Sequence, residues 1–315
     1  MPKIKIKSGL YKLYAFFFIG ITIVSLLVGL ALHQIRHARD EAFVGTTDEF
    51  IEVKKARKEL HFGLIAAATG AEYVPRTYLD QLPKGLPQMR NVHKKKELFS
   101  ATLLPLILRS NELIREERGR LEDIKLYLEA QESLTDLDIK WLIHQRSRYG
   151  ISKSLDVSVK LVDRLLYHCD IIPPSLALAQ AAIESGWGTS RFAQSGNAIF
   201  GQWVWGDSHE GMLPLGRDEG ATHKVRKFDN LIDSVRSYAH NINKNRAYDD
   251  VRKRRADLRK DGKHISGEYL AHGLIKYSQR GQEYIKDILS LISYNQFSGL
   301  DHSRLEPIAE SQIQL

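Results

Sequence analysis

The sequence predicts a mainly α-helical exported domain carried behind a single membrane-spanning helix. Three observations predict it: a globular composition, one uncharged apolar run near the N-terminus, and a series of amphipathic segments with helical spacing. Of 315 residues, 43% are hydrophobic and only 9 are Pro, which excludes disordered, collagen-like and coiled-coil chains. The length leaves room for one large or two modest domains. Lys and Arg total 46 against 38 Asp and Glu, a formal charge of +8. Cys169 is the single cysteine, which rules out an intrachain disulfide and a cysteine-rich metal cluster. It reads as a small buried apolar residue ending a helix.

The first element is the apolar run from Ala15 to Leu32, 18 residues without a charge, close to the roughly 20 needed to cross a bilayer core. Residues 1–12 form a basic leader with Lys3, Lys5, Lys7 and Lys12, and positive charge retains that end in the cytoplasm. We therefore expect a transmembrane anchor over 13–33. The rival reading is a cleaved signal peptide with Gly29-x-Ala31 as its site, but the run exceeds the usual signal core. Both readings export the rest of the chain, which argues against a nucleic-acid partner.

Residues 34–130 are expected to form a helical stalk or buttress. From His33 to Thr69, charged residues surround Phe43, Phe50, Val53 and Leu60 at loose helical spacing. Pro75, Pro83, Gly85 and Pro87 then impose a loop over Val74 to Met89. From Leu98 to Leu128 apolar residues recur at three- or four-residue steps, and we expect two helices kinked near Pro105. The catalytic domain is expected over 131–297. Its clearest amphipathic helix is Leu155 to Asp170, with Leu155, Val159, Val162, Leu166 and Cys169 on one stripe. The basic run Arg252 to Lys263 reads first as a solvated helix face and second as a patch for an anionic polymer. The tail, 298–315, lacks periodicity and is expected to be loosely held.

The chemistry is expected in SLALAQAAIES, Ser175 to Ser185. Pro173-Pro174 opens this short helix and Gly186 closes it. Glu184 falls in the last turn of an almost wholly apolar helix, on one stripe with Ala177 and Gln180. The negative end of the helix dipole and apolar surroundings both disfavour its ionised form. A carboxylic acid that stays protonated near neutral pH is what a glycosidase needs to protonate a leaving oxygen. The bland alternative is an exposed glutamate that happens to end a helix.

The stretch AQAAIESGWGTSRFAQSGNAIFG, Ala179 to Gly201, resembles the signature of the bacterial glucosaminidase domain of peptidoglycan hydrolases. Downstream, KFDNLIDSVRSYAHNINKNRAYDDV (Lys227 to Val251) is similar to that family's order of motifs. The match of LIKYSQRGQEYIKDILSLISYN (Leu274 to Asn295) to Tyr-Ser-x-Arg-Gly-x-x-Tyr, with VPRTYL and LFSATLLPLILRSNELIREERGRL upstream, resembles the Bax-type subgroup. The resemblance spans roughly Val74 to Asn295. It implies a mainly α, lysozyme-like catalytic domain with a small irregular or β lobe, and cleavage after N-acetylglucosamine in peptidoglycan. It further implies Glu184 as general acid, Tyr248 as the family's active-site tyrosine and Glu219, with Asp218 beside it, as the second carboxylate.

Asn197 and Phe200 belong to the matched signature and are expected at the substrate, with Trp203 or Trp205 as a sugar platform. Trp187 is expected to hold the helix end. The histidines show no paired spacing with acidic neighbours, and no phosphate-cradling glycine loop follows a strand; no metal and no cofactor are expected. The partners expected are peptidoglycan glycan strands and, through the anchor, the inner membrane, with the catalytic domain in the periplasm. Two rivals stay open: a lytic transglycosylase or muramidase acting on the alternate bond, and a non-catalytic glycan-binding scaffold.

Overall fold

The computed structural model describes residues 25–26, 28–30, 43–204, 210–213 and 224–308. Of the anchor expected over 13–33, only 25–26 and 28–30 fall among them, in helical conformation. No helix of the described residues is long and apolar enough to cross a membrane.

Helix α1 (Thr47–Glu59) opens on a capping box, in which the Thr46 hydroxyl accepts from the Glu49 amide and the Glu49 carboxylate accepts from Thr46. Two backbone donors that a helix start leaves orphaned are thereby satisfied. Helix α2 (Leu64–Thr69) ends at Gly70 in the left-handed region. After the proline-rich loop comes α3 (Val92–Glu129), 38 residues capped by Asn91.

Helix α3 departs from the expected pair of kinked helices, because it runs without interruption through Pro105. Proline inside a helix removes a hydrogen bond and costs about 3 kcal/mol. Here every residue from Ala101 to Leu108 is buried, and a fully buried Leu or Ile stabilises by about 1.5–3 kcal/mol. Burial on all sides outweighs the proline. The helix packs against α5 (Val159–His168), α6 (Pro174–Ser185) and α8 (Leu231–Lys244), so the N-terminal region shares one apolar core with the rest.

Helix α4 (Asp136–Arg148) is capped by Thr135 and α5 by Ser158. Helix α5 is shorter than expected: the Ser158 cap leaves Leu155 outside, and Cys169 is its C-cap, fully buried. Helix α7 (Arg191–Gly196) follows α6, and a three-stranded antiparallel sheet follows α7 in the order β1-β3-β2: β1 (Trp203–Val204), β2 (Gly211–Met212) and β3 (Lys224–Arg226). Trp203 pairs with Val225 and Gly211 with Arg226. A 3-10 turn (Arg246–Tyr248) then leads into α9 (Asp249–Lys260), α10 (Gly267–Ala271) and α11 (Gln282–Tyr294), and a last 3-10 segment (Phe297–His302) follows. The architecture is mainly helical with one small β lobe.

Two further expectations are corrected. The basic run is not simply a solvated face: Arg252 and Arg255 are each 1% exposed. Arg252 donates to the Ile242 and Asn245 carbonyls at 2.8 Å each, tying down the end of α8. The described part of the tail, 298–308, is not loose either. Phe297 and Leu300 are buried, and Val74 pairs with this segment through the Arg304 carbonyl and the Glu306 amide. Asp301 accepts from the Ser175 amide and hydroxyl at 2.8 Å each and from the Gly267 amide at 2.9 Å. A carboxylate at the start of α6 complements the positive end of that helix.

Candidate active site

Helix α6 is the central strut of the domain, enclosed by α3, α10, α11 and the last 3-10 segment. All but Ile183 and Glu184 of its 12 residues are buried. Its C-cap, Gly186, has φ 59°, and the amides of Gly186 and Trp187 return to the Ala182 carbonyl, the usual closure for a helix ending in a left-handed residue. Trp187 takes φ 56° itself, uncommon for a bulky residue. Its ring is held between Phe99 at 5.7 Å and Phe297 at 6.3 Å, the structural role expected of it. This rigid end fixes Glu184.

Around Glu184 the structure gathers four tyrosines from separate elements. The Tyr284 hydroxyl, on α11, donates to Glu184 Oε1 at 2.9 Å. Gln180 Nε2, one turn back on α6, donates to the Tyr284 hydroxyl at 3.1 Å. The Tyr238 hydroxyl, on α8, donates to Gln180 Oε1 at 2.7 Å. Every donor in this buried relay points toward the carboxylate. Tyr277 stacks on Tyr284 at 5.4 Å, and Tyr248 tilts against Tyr277 at 5.5 Å.

Burial raises the pKa of Glu184, and the Tyr284 hydrogen bond opposes the rise only in part. No cation among the described residues lies among its influences. Burial also raises the four phenols, so they serve as neutral hydrogen-bond donors and not as acids. The two carboxyl oxygens are unequal. Oε1 is engaged by Tyr284, whereas Oε2 has no hydrogen-bond partner among the described residues and lies beside Gly201, where a Cβ would sit 3.7 Å away. Gly201 has φ 59°, a conformation that glycine adopts without strain. Glu184 is therefore a held, half-exposed carboxylic acid with one free oxygen.

Gly201 leads to Gln202 and Trp203, which enter the wall of a groove of about 1610 Å³. Asn241 lies in the same wall and is close enough to Tyr248 for its side chain to oppose the rise in that phenol's pKa. The groove runs between the β lobe, α5 and α8; Glu184 is not itself among the lining residues, and Gln202, which follows Gly201, links the two.

The expected residues fare differently. Tyr248 is 8% exposed and close enough for the Glu184 charge to influence it. Trp203 is 50% exposed and lines the groove. Phe200 is buried, with its face stacked on Tyr238 at 3.9 Å, and supports the relay from behind. Asn197 is buried, and its amide group donates to the Phe228 and Asp229 carbonyls at 3.2 Å each, tying α7 to the strand exit. Glu219, Asp218 and Trp205 lie outside the described residues. Sequence reasoning assigned no role to Gln180, Tyr238, Tyr277 or Tyr284; the signals present were Gln180 on the Glu184 stripe and the two tyrosines of the Tyr-Ser-x-Arg-Gly-x-x-Tyr match.

Comparison with known proteins agrees with this geometry. Residues 162–297 match the glucosaminidase family model, described as mannosyl-glycoprotein endo-beta-N-acetylglucosaminidase. The chain is 30% identical over 221 residues to "Protein bax" of Escherichia coli (strain K12), covering 69% of this chain and 73% of that one. No solved structure matches with significance. A glucosaminidase match that contains Glu184, all four tyrosines and most of the groove's lining residues, together with the likeness to Bax over 221 residues, places the chain in the Bax-type glucosaminidase-domain family of glycoside hydrolases.

Proposed function

We propose that the protein is a membrane-anchored peptidoglycan hydrolase of lysozyme-like design that cleaves glycan strands after N-acetylglucosamine, with Glu184 as general acid. The observation that carries the reading is the asymmetry of the Glu184 carboxyl group. Oε1 is locked by Tyr284, while Oε2, without a hydrogen-bond partner among the described residues, lies beside Gly201, the residue before the groove-lining Gln202. Burial keeps the group protonated to higher pH than an exposed glutamate, the condition for donating a proton to a glycosidic oxygen.

In the step proposed, the Oε2 proton passes to the leaving oxygen as the C1–O bond breaks, and the carboxylate left behind is stabilised by Tyr284 through Oε1. No described carboxylate acts on the charge of Glu184. The attack at C1 comes either from water activated by Glu219 or from the substrate's own N-acetyl oxygen, both known routes in glycosidases. Tyr248, beside the acid, orients the acetamido group or that water. The uncharged run at 13–33 supports anchoring in the inner membrane, with the active site in the periplasm.

Digestion of peptidoglycan by the full chain in detergent, with the new ends identified by mass spectrometry, tests the reading. Reducing N-acetylglucosamine ends support it. Reducing or anhydro N-acetylmuramic acid ends would keep Glu184 but move the scissile bond to the muramidase and transglycosylase class. Binding without cleavage would favour a scaffold.

A further inference from the structure

The groove that Gln202 and Trp203 enter is one-sided in charge. Among the described residues its wall contains six cationic side chains and two carboxylates. Both carboxylates already have a cation: Asp163 pairs with Lys125 at 2.7 Å and Asp249 with Arg252 at 3.1 Å. Of the six cations, Arg252 is consumed in that pair. Lys160, Arg164, Lys244 and Arg246 are exposed, and together with Arg226 they have no carboxylate partner among the described residues. They come from β3, α5, α8 and the 3-10 turn after it, so the fold brings them to one cavity from separate elements.

In a peptide-bearing strand the lactyl group of each muramic residue is tied up as an amide, so the charge that a strip of cations can meet lies on the peptides; a strand stripped by an amidase keeps only the lactyl carboxylate in their place. Cations facing a cavity are matched by a ligand bearing carboxylates, through charge-assisted hydrogen bonds and a local potential that accelerates encounter. Trp203, at 50% exposure, marks the face of the same cavity on which a sugar ring can lie.

We infer that this groove takes the carboxylate-bearing peptide side chains of the glycan strand, so that the enzyme selects peptide-substituted strands over bare ones. The inference rests on the peptidoglycan reading and deepens it. Arg246 and Lys244 are the residues of choice for a test: both are exposed, neither carries a structural hydrogen bond, and neither touches Glu184 or its relay.

The test compares the full chain in detergent on two substrates: purified peptidoglycan strands, and the same strands stripped of peptide by an amidase. Wild-type protein and the double variant Lys244→Gln/Arg246→Gln are assayed for new reducing ends at low and at high salt. The expected result is a KM about ten-fold lower for peptide-bearing strands, a preference that salt and the double variant both remove while kcat stays unchanged. Equal KM values for both strands in the wild type would overturn the inference and leave the peptidoglycan reading standing. Failure to cut either strand would overturn both. A variant that keeps the strand preference but no longer sediments with phosphatidylglycerol vesicles would overturn the inference in favour of a lipid surface.

Discussion

Two carboxyl groups, the half-buried Glu184 and the buried Asp170, show how the same side-chain chemistry meets opposite surroundings. Asp170 is the more buried, at 2% exposure, yet its pKa is lowered, whereas the half-exposed Glu184 is raised. Burial pushes both upward. The difference lies in their company. Arg259 grips Asp170 with two hydrogen bonds of 2.7 and 3.0 Å. Arg255 and Arg118 add their charges at 3.8 and 3.6 Å, and together the three outweigh the desolvation. Among the described residues Glu184 has only phenols and an amide around it. Asp170 is thereby a fixed anion that fastens α9 and α3 to the end of α5. In Glu184 the ionised form is disfavoured instead. Depth of burial is a poor guide to catalytic character; the absence of a cation is the better one.

The largest effect expected from this contrast is on turnover. Glu184→Gln should lower the rate of strand cleavage by about 10²–10⁴-fold, the contribution typical of a positioned general acid, while the melting temperature stays near wild type. Near-normal cleavage by the folded variant would remove Glu184 from the chemistry. Asp170→Asn should do the reverse. It strands three arginines around a neutral group, and removing one partner of a buried ion pair costs about 3–5 kcal/mol. Denaturant titration should show that loss, and an unchanged midpoint would contradict the hub.

A smaller effect separates tuning from presence. Glu184 must be protonated to act, so activity is full below its pKa and declines as pH rises through it. Tyr284→Phe deletes a hydrogen bond that favours the ionised form, so the pKa rises and the alkaline limb of the pH profile should move to higher pH. The lost hydrogen bond should also cost about 1 kcal/mol of stability. A limb that stays in place or moves to lower pH would show that Tyr284 does not tune the acid.

The smallest effect belongs to His168, whose carbonyl Arg255 holds beside the Asp170 hub. Burial lowers this imidazole to about 4. A base depressed on folding contributes stability that is intact above its ordinary pKa of about 6.5 and is lost as pH falls toward 4. The melting temperature should therefore decline across that window, and His168→Gln should flatten the decline. An equal slope in wild type and variant would assign it elsewhere.

The helices were largely legible in the sequence because each carries its own local signals. Thr46, Asn91, Thr135, Ser158 and Asn230 cap helix starts, and Gly186 ends α6 where only a left-handed residue closes the turn. Pro105 misled because its effect on α3 is decided by what surrounds it, and eight successive buried residues are a property of the packed molecule. The tail misled for the same reason: Asp301 gains its meaning only when the start of α6 comes within 2.8 Å of it. Arg252 and Arg255 read as surface charge because a sequence does not reveal which carbonyls will enclose a guanidinium.

At the site, the division follows the range of the interactions. Glu184 in the last turn of an apolar helix, one turn after Gln180, was written in consecutive residues, since helix periodicity places them on one stripe. That Oε1 would be locked and Oε2 left open was not. The relay to Glu184 depends on Tyr284, which lies 100 residues away, and on Tyr238, which lies 58 residues from Gln180. Those distances are bridged only when α8 and α11 pack against α6. The sequence by itself singled out the candidate acid, Glu184, and the helix that carries it. Tertiary structure decided the environment that makes that residue an acid, because desolvation and hydrogen-bond direction arise from elements that meet only in the folded chain.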